Sequence, residues 1–91
     1  MRNVRDKSWY VYILRCRDSS LYTGIARDPI RRLDTHSRGQ GSAYVRSRLP
    51  VRLIYTERCR GRGAALRREA ELKRWTRAEK LALVSKPGKS D

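Results

Sequence analysis

The sequence predicts an α+β fold: a small, three-stranded, mainly antiparallel sheet flanked by about three helices in a sandwich-like arrangement, in the order β-β-α-β-α-α. Three observations carry this expectation. Residues 9–15 (WYVYILR), 21–25 (LYTGI) and 51–57 (VRLIYTE) have the aromatic and β-branched composition of strands. The first two runs are separated by little more than the polar turn Arg17-Asp18-Ser19-Ser20, the spacing of a hairpin. Helix signals punctuate the rest: Asp28-Pro29, the strongly helix-forming run 64–75, and Thr76 followed by Glu79. A chain of 91 residues makes a single domain, 1–91, with a core over about 9–84 and loose ends at 1–8 and 86–91. At this size roughly two-thirds of the unfolded surface is buried, enough for one modest core.

Taken in order, 9–15 reads as a strand buried on both faces. An antiparallel register that sets Tyr12 opposite Tyr22 or Gly24 places both tyrosines and the glycine on one face. Gly24 has no side chain there and leaves room for close approach. The first helix is expected from Pro29 to Ser37, with Asp28 capping its free N–H groups. Arg32 and His36, at i and i+4, share one face of it, and Ile30 and Leu33 suit packing. Residues 38–42 (RGQGS) open a loop, and 42–50 (SAYVRSRLP) interleaves Tyr44 with Arg46 and Arg48. In 51–57, Val51, Leu53 and Tyr55 alternate with Arg52, Ile54 and Thr56, a half-buried strand. On the helix 64–75, Ala65, Leu66, Ala70 and Leu72 form an apolar stripe. Glu69 points along that buried side, and Arg67, Arg68 and Glu71 lean outward. Thr76 and Glu79 form a capping box for a last helix over Leu81, Ala82 and Val84, stopped by Pro87.

Charge narrows the function. Lys and Arg total 23 against 9 Asp and Glu, a formal net charge of +14. Such an excess attracts polyanions, most simply nucleic acid, and arginine grips phosphate bidentately. No apolar run is long enough for a signal peptide or a membrane span, so a cytoplasmic location and no membrane partner are expected. Cys16 and Cys59 lie far apart without a CxxC spacing, which argues against zinc and for reduced thiols. Gly24, Arg27, Arg31, Tyr44, Arg46 and Arg48 are the expected nucleic-acid contacts, since guanidinium and aromatic groups together suit phosphate contact and stacking. Spacing alone leaves alternatives open. Arg32 and His36 fit a phosphate site or a solvated helix face. Tyr44 fits a stacking platform or a residue tucked under a loop. Glu69 needs a cation, which a metal ion or an arginine could supply.

Tyr10-Val11-Tyr12, Tyr22-Thr23-Gly24, Arg32, His36 and Glu69, in this order, resemble the motifs of the GIY-YIG nuclease superfamily, in particular its small, stand-alone bacterial branch. Tyr10 stands where the first motif usually has Gly. The resemblance spans residues 9 to about 83. It implies a metal-dependent phosphodiester hydrolase, a DNA endonuclease, with Glu69 holding one divalent ion, Mg²⁺ or Mn²⁺. It implies further that Arg32 faces the phosphoryl charge, and that Tyr22, or second Tyr12, orients or deprotonates the attacking water. His36 would orient a tyrosine or contact phosphate. DNA repair is the family-level expectation. Ile25 stands where several relatives carry Lys, and no Asn follows the Glu69 helix, so those roles are filled otherwise or absent. The alternative is a non-catalytic basic nucleic-acid-binding module or adaptor with the same fold.

Overall fold

A computed structural model describes residues 7–85. They form β1 (Trp9–Arg15), β2 (Leu21–Ala26), α1 (Pro29–Ser37), α2 (Ala43–Arg46), β3 (Arg52–Cys59), α3 (Arg62–Lys73) and α4 (Arg77–Ser85). The sheet is antiparallel throughout, ordered β2-β1-β3. β1 is therefore central, and Val11 to Leu14 are at most 2% exposed, as its unbroken apolar run requires. The hairpin turn is held by Asp18, whose Oδ1 accepts from Ser20 N at 3.0 Å and Ser20 Oγ at 2.6 Å.

The core lies on both faces of the sheet. Tyr12, Leu14 and Ala26 pack on one face with Val45, joined by Leu33, Leu49, Val51 and Leu53. Val11 packs on the other with Ala65 and Leu72, joined by Trp9, Ile25, Cys59, Trp75 and Leu83. Thus α1 and α2 cover one side and α3 the other. Cys16 and Cys59 are both free thiols. Among the described residues no helix is long and apolar enough to cross a membrane.

α1 begins and ends where its signals place it. Pro29 opens it, and Asp28 Oδ1 accepts from Arg31 N at 3.1 Å. The capping box at α4 is reciprocal: Glu79 N donates to Thr76 Oγ1 at 3.1 Å, and Thr76 N donates to Glu79 Oε1 at 2.7 Å.

Several expectations are corrected. Residues 42–50 hold a short helix, α2, capped by Ser42 and anchored by fully buried Val45. Ile30 is 67% exposed, because the inward side of α1 is taken by Leu33 and His36. Ser8 is not loose: it is buried, and its Oγ accepts from Arg58 Nε at 2.7 Å. The other expected loose residues, 1–6 and 86–91, lie outside the described residues.

β3 is not regularly alternating. Ile13 pairs with Tyr55 but Leu14 pairs with Leu53, so Ile54 is an extra residue, a β-bulge. Leu53 consequently joins Leu14 on the α1 face, and Tyr55 and Glu57 lie on the α3 face. On α3 the inward residues are Ala65, Arg68, Glu69 and Leu72, at i, i+3, i+4 and i+7, whereas Leu66 and Ala70 are exposed. Arg68 turns inward because two carboxylates wait there, as described below.

Candidate active site

Tyr12 stands at the centre of the polar cluster. Its register partner across the hairpin is Gly24. The phenol lies directly over that glycine: a Cβ built there would sit 2.6 Å from the Tyr12 oxygen and 2.7 Å from Cζ. Beyond the glycine the hydroxyl meets His36 Nε2 at 3.0 Å. His36 is itself only 1% exposed and rises from the inward side of α1. Its ring is pressed against Gly41, where a Cβ would overlap the imidazole. Nδ1 of His36 is buried and has no hydrogen-bond partner among the described residues.

Tyr22 lies two residues from Gly24 on the same strand and hence on the same face. Its ring centroid is 6.4 Å from that of Tyr12 and 5.4 Å from that of His36, the latter edge to face. Tyr22 stays half-buried, whereas Tyr12 is 2% exposed.

Charge reaches this aromatic cluster from two helices. The Tyr12 phenol is pushed well above the ordinary phenol range, first by burial and then by Tyr22, with Arg32 opposing the rise and Glu69 adding to it. His36 is held below its ordinary value of 6.5 by burial and then by the Arg32 guanidinium. Arg32 from α1 and Glu69 from α3 thus lie within electrostatic reach of one phenol. The Glu69 side chain is 19% exposed and pairs with Lys73 Nζ at 3.3 Å. The cation that the buried side of α3 demanded is therefore a lysine one turn on.

Among the described residues no three His, Cys, Asp or Glu side chains gather as a metal cage. A lone, largely buried carboxylate that already draws a cation does not suit a tightly caged ion. It suits a hydrated one such as Mg²⁺, which keeps several waters and binds through one or two carboxylates plus phosphate.

The predicted nucleic-acid contacts fall into two groups. Arg27 and Arg31 join Arg32, Trp9, Ala26, Asp28 and Thr35 around a cleft of about 480 Å³ at the start of α1. Trp9 is the member of this cleft that sequence reasoning missed; the Arg27 guanidinium stands 6.0 Å from its ring centroid. The second group lies on and after α2. Tyr44, 40% exposed, stacks on Tyr22 with centroids 6.0 Å apart. Arg48 covers the Tyr44 ring at 3.7 Å and donates to Asp18 Oδ2 at 3.2 Å and to Tyr44 O at 2.9 Å. Arg48 is thus a strut tying α2 to the hairpin turn, and Arg46 stands exposed in the last turn of α2. Gly41 carried no signal beyond being a loop glycine, because its partner is a ring from the preceding helix.

A three-stranded antiparallel sheet that brings together a tyrosine from each of two hairpin strands, one of them within electrostatic reach of a helix arginine and a second helix's glutamate, defines a GIY-YIG domain. The chain belongs to that nuclease superfamily: the model of the GIY-YIG catalytic domain matches residues 8–82. Within it the chain is similar to the UPF0213 proteins. One from Staphylococcus aureus strain Mu50 is 48% identical over 77 residues, 85% of this chain and 94% of that protein. The solution NMR structure of a UPF0213 protein from Bacillus halodurans is 44% identical, covers 89% of this chain and 87% of that one, and has a TM-score of 0.56. A second solution NMR structure, of a protein from E. faecalis, is 40% identical over 92% of this chain and 88% of that one, with a TM-score of 0.60.

Proposed function

We propose that the protein is a divalent-metal-dependent DNA endonuclease that hydrolyses phosphodiester bonds, selecting by DNA structure or acting without sequence preference. One observation supports the reading: the Tyr12 phenol over Gly24 lies 6.4 Å, ring to ring, from Tyr22 and within electrostatic reach of Arg32 on α1 and Glu69 on α3.

Glu69 would hold one hydrated Mg²⁺ or Mn²⁺, which when bound neutralises phosphate charge and stabilises the leaving oxygen. Arg32 faces the non-bridging oxygens, where a fixed guanidinium contributes a few kcal/mol to the barrier, on the order of a hundredfold in rate. The water-facing phenol is Tyr22, half-buried and free of the constraint that ties Tyr12 to His36. Tyr12, with its proton held more tightly than usual, is suited to orienting and not to taking a proton. His36, buried and favoured neutral, fixes the Tyr12 hydroxyl and does not reach phosphate. Arg27 and Arg31 in the α1 cleft hold neighbouring phosphates of the same strand.

The test is to incubate purified protein with plasmid, forked and single-stranded DNA, with Mg²⁺ or Mn²⁺ and with EDTA. Nicking that needs metal, vanishes in folded Glu69→Ala and falls about a hundredfold in Arg32→Ala is the expected result. Cleavage unaffected by both substitutions would assign the activity to a contaminant. Binding without cleavage in every condition would leave a basic binding module of the same fold.

A further inference from the structure

Away from the tyrosines, the α3 face of the sheet carries a polar network that the proposed chemistry does not use. Arg68 donates from Nε to Glu57 Oε2 at 2.9 Å and from Nη2 to Glu57 Oε1 at 3.1 Å, a two-point fork. Its Nη1 donates to Glu71 Oε1 at 2.8 Å. The Glu57 carboxylate is fixed in turn by the Tyr55 hydroxyl, which donates to Oε1 at 2.7 Å. The Trp75 ring covers the guanidinium, 5.4 Å from centroid to Cζ. Arg68 and Glu57 are each 23% exposed, so this pair is better shielded from water than a surface salt bridge.

The fork joins α3 to β3 at the residue next to Glu69. On a helix, neighbouring side chains leave the axis about 100° apart, so pinning one sets the direction of the next. A two-point guanidinium–carboxylate contact resists both rotation of the helix about its axis and sliding along it. Alanine and leucine contacts at Ala65 and Leu72 are non-directional and define the rotation less sharply.

We propose that Arg68 is a positioning residue: its fork to Glu57 sets the rotation of α3 so that the Glu69 carboxylate stays turned inward, with a side chain 19% exposed. The inference rests on the nuclease reading for its purpose, but not for its geometry. Without the fork α3 stays on the sheet through its apolar contacts, while Glu69 turns toward solvent.

Two readouts on Arg68→Met, Arg68→Lys and Glu57→Gln separate these parts. In metal-free protein, NMR with a soluble paramagnetic probe follows the solvent exposure of the Glu69 side chain, 19% in the wild type. With Mn²⁺ added, paramagnetic broadening gives the affinity at Glu69, with Glu69→Gln as the blank. Arg67→Met, an exposed neighbour, controls for the lost charge. All variants are compared well below their melting temperatures. The expected result is a more exposed Glu69 in Arg68→Met and Mn²⁺ binding about tenfold weaker, the scale on which groups behind a metal ligand act. Arg68→Lys, charged but unable to fork, should fall between Arg68→Met and wild type, and Arg67→Met should match wild type. Unchanged Glu69 exposure and unchanged affinity in folded Arg68→Met would overturn the proposal, as would an equal loss in Arg67→Met. Should wild type bind no Mn²⁺ at Glu69, the nuclease reading fails, and the metal-free exposure of Glu69 still decides the role of Arg68.

Discussion

At the scale of single residues, Gly24 and His36 bear the tightest constraints. A methyl group at Gly24 would overlap the Tyr12 phenol, and the rigid ring can yield only by leaving the strand or breaking its bond to His36. Gly24→Ala should therefore cost about 1–3 kcal/mol in urea denaturation and disturb the Tyr12 ring signals in NMR. His36 yields a pH dependence. Its folded value lies below the 6.5 of the free side chain, so the unfolded chain takes up its proton first. Stability that is full above that value should decline as pH falls through it toward the depressed folded value. Denaturation midpoints of wild type against His36→Gln from pH 7.5 to 4.5, a window of about three units around the free histidine value, measure this, and the variant should lose that part of the slope. The sequence showed Tyr12, Tyr22 and Gly24 as one face because strand alternation is strictly local. It did not show that His36 is buried, because an i, i+4 spacing reports which residues share a face and not whether that face meets water.

At the scale of elements, the legible parts were those with chemical punctuation. Asp28-Pro29 and the Thr76–Glu79 box fix where α1 and α4 begin, since orphan N–H groups need those acceptors. Asp28→Ala should lower stability by about 1 kcal/mol in thermal or urea melts. Because Asp28 also lines the arginine cleft, the same substitution should tighten DNA binding in a fluorescence anisotropy titration. α2 escaped notice because four residues carry too little periodicity to be told from a loop. The inward turn of Arg68 escaped for another reason: its partners lie on β3, and a long-range ion pair overrides the local apolar pattern.

At the scale of the molecule, the proposed binding of DNA by a chain of net charge +14 should weaken steeply with salt, and the position of each arginine decides its share. Arg31, exposed in the cleft, should lower the slope of log affinity against log salt by about one when changed to Ala, measured by anisotropy at several salt concentrations. Arg48→Ala should instead show mainly as lost stability, because that guanidinium is occupied by Asp18 and the Tyr44 ring. The fold class was readable from three strand-like runs, but the division of the core between two faces was not, since it depends on the odd residue at Ile54. That insertion has a consequence for anyone redesigning or aligning this strand. It works as a frame change midway along β3, so pairing the strand straight through with Ile54 kept in the ladder would carry Glu57 to the opposite layer and strand Arg68 without its acid, although every residue named in the reaction would still be present.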